Sequence, residues 1–205
     1  RTPLNIILSF TELMLEENNL NERKEYFSIV KRNSDGLLNI INDLLDMSKI
    51  EAGMLNYQIA GTDLNLLCKE VVNDLSSTTQ NDVKLLFKPE KDSFIINTDK
   101  QRLRQVIVNL VSNACKFTTE GEITISYKQL STDCLEIRVT DTGIGIATEN
   151  IPKLFNRFTK LNSNAKGTGL GLVICKSIIE HLGGEIGIES ELGKGSSFWF
   201  THPIS

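Results

Sequence analysis

Residues 99–117 read DKQRLRQVIVNLVSNACKF, and their apolar side chains recur every three or four positions. This spacing predicts an amphipathic α-helix that Asp99 begins as its N-cap, because an Asp carboxylate can accept a hydrogen bond from the first turn. The apolar face would consist of Leu103, Val106, Leu110 and Phe117. A helix with one such face has to bury it against another layer, so we expect a sheet beside it.

The segments around this helix have the patterns of short strands and further helices. Residues 123–127 and 135–141 alternate apolar and polar side chains, as antiparallel strands with one buried face do. Further strands are predicted at 83–89, 93–98, 185–190 and 196–200, and further helices at 63–79 and after Gly171. The predicted fold class is α+β, with a mixed, mostly antiparallel sheet layered on helices in an α/β sandwich.

The first third of the chain has a helical pattern of its own. Residues 4–17 repeat apolar side chains at helical spacing and end in the polar break 18–22. Residues 27–48 then carry a heptad seam, and Gly53 suits the end of that helix. Two antiparallel helices with stripes this wide need another apolar surface, so we predict a homodimeric four-helix bundle through residues 1–55. Packing of the stripes on the rest of the same chain is the alternative.

The composition of the 205-residue chain argues against several classes of protein. Lys and Arg number 22 against 26 Asp and Glu, a net charge of −4, which disfavours nucleic-acid binding. The four cysteines lack metal-ligand spacing and are expected to be reduced thiols. Without an apolar span or a signal-peptide pattern, we expect a cytoplasmic fragment with no membrane contact. The start at Arg1 suggests a piece of a longer protein, which an inner-membrane anchor could precede.

A polar stripe runs beside the apolar face of the helix at 99–117. It consists of Arg102, Gln105, Asn109, Asn113 and Lys116. Amide carbonyls and an ammonium group suit Mg²⁺ and phosphate oxygens, because magnesium binds phosphates and takes few protein ligands. A helix face that is merely solvated explains the stripe equally well.

Two glycine-rich segments follow. Residues 141–145, DTGIG, stand where a predicted strand ends, so Asp141 could accept a hydrogen bond from an exocyclic amine while the glycines leave room for a flat ring. A tight turn is the alternative. Residues 167–172, GTGLGL, open an apolar helix, and N–H groups at a helix start can bind phosphates. This segment has neither the Walker spacing nor a directly preceding strand, and a plain helix cap is its alternative.

In this order the segments resemble the kinase core of a two-component sensor histidine kinase, over essentially all 205 residues. Residues 1–5, RTPLN, are similar to the end of the phosphoacceptor box, and residues 41–53, INDLLDMSKIEAG, to the end of the second dimerisation helix. The other boxes are NLVSNACKFT at 109–118 (N), DTGIGI at 141–146 (G1), LFNRF at 154–158 (F), GTGLGL at 167–172 (G2) and GKGSSF at 193–198 (G3). The resemblance implies a dimerisation and histidine-phosphotransfer hairpin at 1–55 and a catalytic ATP-binding domain of the Bergerat type at 56–205.

The resemblance also implies ATP and Mg²⁺ as ligands and gives roles to residues of the boxes. Asn113 would ligate Mg²⁺, Asn109 would lie beside it near the γ-phosphate, and Asp141 would accept the adenine amine. The base pocket would also contain Gly143, Gly145, Ile146 and Ser196. The phosphates would meet Lys116, Arg157 from a lid at 147–166, and Thr168, Gly169, Leu170 and Gly171.

The amide at Asn109 distinguishes two types of reaction. The gyrase-like and chaperone ATPases that share this nucleotide fold have Glu at the matching position to activate water, and an amide is a poor general base. ATP would therefore be kept for transfer to an acceptor histidine by positioning and charge neutralisation. The resemblance places that histidine before Arg1. His181 and His202, the latter expected in a C-terminal tail, lack its context.

The resemblance also implies one protein partner, a response regulator, and two alternative functions remain open beside it. The phosphoryl group would pass to an aspartate of a response-regulator receiver domain, and Thr2 would orient water for dephosphorylating that regulator. One alternative is a degenerate nucleotide-binding or dimerisation module without transfer activity. The other is an ATPase or serine kinase on the same fold, which Asn109 and the N-terminal hairpin oppose.

Overall fold

A computed structural model describes residues 2–76, 82–159 and 168–204. The chain divides into two compact units, Arg1–Met54 and Leu55–Ser205. The first unit is helical and the second contains a sheet with helices packed on it, which confirms the predicted fold class.

The first unit consists of two helices, α1 (Thr2–Glu16) and α2 (Leu20–Glu51). Phe10 and Tyr26 join them edge to face, with ring centroids 5.5 Å apart. Asn19 caps α2 by accepting a hydrogen bond of 2.9 Å from the N–H of Asn21. The polar break is therefore shorter than predicted, because the cap lies inside it and α2 begins directly afterwards.

The apolar stripes of the first unit are not covered within it. No described residue of α1 or α2 is buried. The side chains of Leu8, Phe27 and Leu38 are each more than half exposed. Burial of apolar area is the main favourable term in folding, so this unit gains little of its stability from its own two helices.

In its described part the second unit contains, in chain order, β1 (Ala60–Asp63), α3 (Leu64–Ser76), β2 (Val83–Lys88), β3 (Ile95–Thr98), α4 (Lys100–Phe117), β4 (Gly121–Gln129), β5 (Cys134–Asp141), a 3-10 helix (Thr148–Lys153), α5 (Gly171–His181), β6 (Ile186–Glu191) and β7 (Gly195–Pro203). Five strands form a sheet in the order β2-β4-β5-β7-β6. Only the β2–β4 pair of this sheet is parallel, as a mixed, mostly antiparallel sheet requires. β1 and β3 form a separate antiparallel pair.

The core lies between the sheet and helices α3, α4 and α5. Alternate residues of β5, such as Leu135 and Ile137, are fully buried, as the two-residue period predicted. The side chain of Asp99 accepts the N–H of Arg102 at 3.0 Å, which confirms it as the cap of α4. The prediction that Phe117 belongs to the apolar face is wrong, since it is 38% exposed at the end of the helix.

The C-terminal strand reaches further than its sequence suggested. His202 lies in β7 and is 1% exposed, so its predicted place in a tail is wrong. The ladder between β5 and β7 continues to the pair Cys134 and Pro203, and this carries His202 into the core. Its Nε2 lies 2.9 Å from the hydroxyl of Thr98, and burial lowers the pKa of the imidazole. His202 therefore has a packing role.

Candidate functional site

The carboxylate of Asp141 lies at the end of β5 and is nearly buried, with 6% of the residue exposed. One of its oxygens accepts the N–H of Gly143 at 2.9 Å. Burial raises the pKa of Asp141, and hydrogen bonds from the N–H groups of Gly143 and Ser196 oppose that shift. A buried carboxylate with remaining lone pairs is suited to accept a hydrogen bond from a ligand.

Main chain from other elements packs closely around the two glycines that follow Asp141. A Cβ on Gly143 would collide with the carbonyl oxygen of Phe117, where α4 ends. Gly145 has a φ of +65°, and a Cβ there would collide with the carbonyl of Glu191. The N–H of Ile144 also donates to Phe117, at 3.2 Å. Close approach of main chain, in addition to room for a ligand, thus requires glycine at both positions.

Ser190 connects three segments beside Asp141. Its hydroxyl oxygen accepts the N–H of Ile146 at 2.8 Å and lies 2.9 Å from the hydroxyl of Ser196. It also donates to the carbonyl of Gly195 at 2.9 Å. Ser190 was not among the residues predicted from the sequence, and the signal that could have revealed it is the hairpin pairing that sets Ser190 opposite Ser196.

An open cleft of about 380 Å³ lies at these strand ends. Its lining includes Asp141, Ser190 and Ser196, and also outward-facing residues of the same strands, Thr140, Glu189 and Ser197, so the cleft is open to the surface. Hydrogen bonds and strand pairing, not the lining of this cleft, bring Gly143, Ile146 and Ser196 close to Asp141 at the end of β5, with Gly145 in the same segment. We call this group, with Ser190, the base end of the site.

The polar stripe of α4 has two different halves. Arg102 donates to Gln105 at 2.9 Å, so these side chains bind each other. Asn109 and Asn113 are half-buried, and their amides form no hydrogen bond within the described parts of the chain. A Cβ on Gly171, at the start of α5, would lie 3.6 Å from the Oδ1 of Asn109. Both amides therefore remain available to a ligand, and that of Asn109 lies next to a helix N-terminus.

The F box and the G2 box are in direct contact. The N–H of Phe158 donates to the carbonyl of Gly169 at 3.1 Å. Both residues have positive φ, +59° for Phe158 and +74° for Gly169. A bulky residue rarely adopts this conformation, which marks the segment as strained. Thr168 accepts the N–H of Leu170 through its hydroxyl at 3.1 Å, which orders the turn into α5.

The remaining predicted site residues are exposed, or belong to segments that lie partly outside the described residues. Arg157 and Lys116 are exposed, and Arg157 lies in the part of the predicted lid that the structure describes, 147–159. Residues 160–166 of that lid, and Gly167 of the GTGLGL segment, lie outside the described residues. We call Asn109, Asn113, Lys116, Arg157 and the turn 168–171 the phosphate end of the site. Thr2 is an exposed residue of the first unit, at the start of α1.

Two further features bear on ligands and membranes. Where residues are described, no three His, Cys, Asp or Glu side chains are grouped so as to hold a metal ion. None of the described helices combines the length and the apolar character that crossing a lipid bilayer requires.

Two family models match the chain. Residues 98–205 match "Histidine kinase-, DNA gyrase B-, and HSP90-like ATPase". Residues 1–53 match "His Kinase A (phospho-acceptor) domain".

Curated relatives match over nearly the whole chain. It is 40% identical over 213 residues to Sensor protein GacS of Pseudomonas syringae pv. syringae, covering 98% of this chain and 23% of that protein. It is 36% identical over 211 residues to Signal transduction histidine-protein kinase BarA of Escherichia coli (strain K12), again covering 98% and 23%. The chain therefore spans less than a quarter of the length of these relatives.

Solved structures agree in fold. Full-length ShkA in complex with AMPPNP superposes with a TM-score of 0.80 at 28% identity, covering 100% of this chain and 44% of that one. Histidine kinase ThkA in complex with the response regulator protein TrrA has a TM-score of 0.73 at 26% identity, covering 99% of this chain and 58% of that one.

Proposed function

The chain belongs to the sensor histidine kinases, and from this membership we propose that it binds Mg-ATP and transfers the γ-phosphoryl group to a histidine of the dimerisation hairpin. The observation that carries the proposal is the buried carboxylate of Asp141 beside Ser196 at the base end. The amides of Asn109 and Asn113, which have no hydrogen-bond partner among the described residues, support it from the phosphate end. ShkA, a similar structure, was solved with the ATP analogue AMPPNP.

At the base end, Asp141 accepts a hydrogen bond from the adenine amine. The backbone around Gly143, Gly145 and Ile146 forms the pocket for the ring. Because the N–H of Gly143 and the main chain near Phe117 already hold this segment, little has to be ordered when the base enters.

At the phosphate end, Asn113 would hold Mg²⁺ through its amide oxygen. The amide of Asn113 suits the ion because Mg²⁺ prefers oxygen ligands and this half-buried group has no partner in the described residues. When bound, the ion neutralises phosphate charge. Lys116 and Arg157 contact the phosphates, Asn109 lies beside the γ-phosphate, and the N–H groups of 168–171 bind phosphate oxygens.

The reaction is a phosphoryl transfer with no hydrolytic base. An imidazole nitrogen of the acceptor histidine attacks the γ-phosphorus, a P–N bond forms, and the P–O bond to ADP breaks. Asn109 cannot take a proton from water, so bound ATP is not readily hydrolysed before the histidine attacks it. We place the acceptor histidine in the hairpin before Arg1.

The phosphoryl group then passes to the aspartate of a response-regulator receiver domain. The solved complex of ThkA with TrrA shows that one similar kinase binds such a regulator. Thr2, exposed on α1, orients water when the kinase removes the phosphoryl group from its regulator. A nucleotide-binding module without transfer activity is not favoured, because both domain models match and the named relatives are kinases.

The hairpin makes the protein a homodimer through residues 1–55, which form the dimerisation and phosphotransfer domain before the catalytic domain at 56–205. The support is the exposed apolar stripe, which includes Leu8, Phe27 and Leu38. Sedimentation of the chain should show a dimer at micromolar concentration. A monomer at high micromolar concentration would contradict this part of the proposal.

The test of nucleotide binding is calorimetric titration with a non-hydrolysable ATP analogue, with and without Mg²⁺. Saturable binding to the chain, strengthened by Mg²⁺ and lost in Asp141→Asn, is the expected result. Asp133→Asn, a substitution in the turn between β4 and β5, is the matched control and should bind normally. Absence of binding by the unmodified chain would refute the proposal.

A further inference from the structure

The hydroxyl of Ser190 lies at the centre of a small hydrogen-bond network at the base end. It contacts the N–H of Ile146 at 2.8 Å, the carbonyl of Gly195 at 2.9 Å and the hydroxyl of Ser196 at 2.9 Å. The sheet pairs Ser190 with Ser196 and Ser196 with Asp141. Ser196 connects this network to Asp141, because the main-chain N–H of Ser196 forms a hydrogen bond to the carboxylate.

The chemistry of the three partners determines the direction of each hydrogen bond. A serine hydroxyl has one proton and two lone pairs. The N–H of Ile146 can only donate and the carbonyl of Gly195 can only accept, so the single proton of Ser190 goes to Gly195. The contact with Ser196 then requires that Ser196 donate its own proton to Ser190.

This leaves the hydroxyl of Ser196 with lone pairs and no proton for a ligand. Ser196 and Asp141 are 7% and 6% exposed, and both belong to the inward-facing positions of their strands. Two neighbouring acceptors in a nearly buried site favour a ligand group that donates, and they repel a carbonyl oxygen.

We propose that Ser190 determines the purine selectivity of the site, by holding Ser196 as an acceptor so that 6-aminopurine nucleotides bind and 6-oxopurine nucleotides are rejected. This inference rests on the proposed ATP-binding function and deepens it. Ser190 does not act as a catalytic residue; it is a positioning residue that acts through Ser196. Sites that hydrogen-bond a substrate amine discriminate strongly against analogues that lack it, because buried polar groups are then left unpaired.

Removal of the Ser190 hydroxyl frees the proton of Ser196, which can then turn toward the ligand. The variant Ser190→Ala should therefore accept a 6-oxopurine better than the unmodified chain does. We expect the preference for ADP over IDP to fall about tenfold, which corresponds to roughly 1.4 kcal/mol. The melting temperature should fall slightly, since Ile146 and Gly195 lose a partner.

The test is calorimetric titration of the 205-residue chain and its variants with ADP and with IDP, which differ at the 6-position of the base and cannot donate a γ-phosphoryl group. Ser190→Thr keeps the hydroxyl and should restore the preference. Ser197→Ala is the matched control, because Ser197 contacts Thr140 on the other face of the same hairpin at 2.9 Å. Its preference should equal that of the unmodified chain.

Three results would overturn the inference. A Ser190→Ala protein that folds and keeps the full preference would do so, as would an unmodified chain that binds ADP and IDP equally, and both leave ATP binding intact. An unmodified chain that binds neither nucleotide would refute the proposed function together with the inference. If Ser190→Ala does not fold, Ser190→Cys gives the measurement with a weak S–H donor: partial loss of preference supports the inference, and full preference overturns it.

Discussion

The two ends of the site differ in how far they are completed without a ligand. At the base end, Asp141, Ser190 and Ser196 already form hydrogen bonds with main chain and with each other. At the phosphate end, the amides of Asn109 and Asn113 have no partner within the described residues, and Arg157 is exposed. Under the proposed function, the base would meet a site whose hydrogen bonds already exist in the sheet, whereas the ligand's charges would complete the phosphate end.

The largest expected effect is the loss of stability in Gly143→Ala, which tests the packing of the base end. The new Cβ would lie 2.9 Å from Asp141 Oδ1 and would collide with the Phe117 carbonyl. We expect the free energy of unfolding to fall by about 3 kcal/mol, the upper range for overpacking. Denaturant unfolding of the chain measures it.

Gly171→Ala is the control for this comparison. Its Cβ would sit at an ordinary van der Waals distance of 3.6 Å from Asn109, so the unfolding free energy should change little while nucleotide affinity falls. Equal destabilisation by the two substitutions would remove the distinction between the ends.

The second effect concerns hydrolysis at the phosphate end. Asn109→Glu introduces a general base where the amide now stands, and general-base catalysis contributes on the order of 100-fold or more. We expect phosphate release from ATP to rise by about that factor in a steady-state ATPase assay. Gln105→Glu, one turn earlier on the same stripe, should leave the rate unchanged. An unchanged rate in Asn109→Glu would count against the assigned position of the γ-phosphate.

The third effect separates the two ends by their ligands. Asn113→Ala removes the amide assigned to Mg²⁺, so the gain in ATP affinity that Mg²⁺ gives should fall about tenfold, as for loss of one charge-assisted contact. Adenosine has no phosphates and probes the base end alone, so its affinity should not change. Equal losses for ATP and adenosine would show that Asn113 serves the base end.

The smallest effect is a pH dependence of stability at the base end. Burial raises the pKa of Asp141 above its usual 3.8, so the folded chain binds a proton more tightly than the unfolded chain does. The carboxylate therefore costs stability as the pH rises from 3.8 through the raised pKa. The melting temperature of Asp141→Asn, relative to the unmodified chain, should increase across this window. Melting curves between pH 4 and pH 8 measure it, and a constant difference would contradict the prediction.

Much of the fold could be predicted from local patterns, because β4, β5 and α4 have strong two-residue or helical periods. β1 could not, since Ala60–Asp63 contains a single buried residue, Thr62, and becomes a strand only by pairing with β3. Phe117 has the right helical period, but the helix ends there and the residue is partly exposed.

The residues of the candidate site also fall into two groups, those that local sequence identifies and those whose role depends on tertiary structure. Asp141 and the glycines after it stand in one short segment, so local sequence was enough to single them out. The function of Ser190 depends on the register of β6 against β7 and on a loop that returns from β5, which are tertiary facts. The same holds for His202, whose burial follows from the length of the β5–β7 ladder.

The position of β7 has a consequence for synthesis on the ribosome. β7 is the last strand of the described chain, yet it lies between β5 and β6 and supplies Ser196 to the base end. Until it emerges from the ribosome, β5 has an open edge, and such edges invite aggregation. The nascent chain therefore cannot form the base end until β7 is made, and nucleotide would stabilise only molecules in which that strand has been completed.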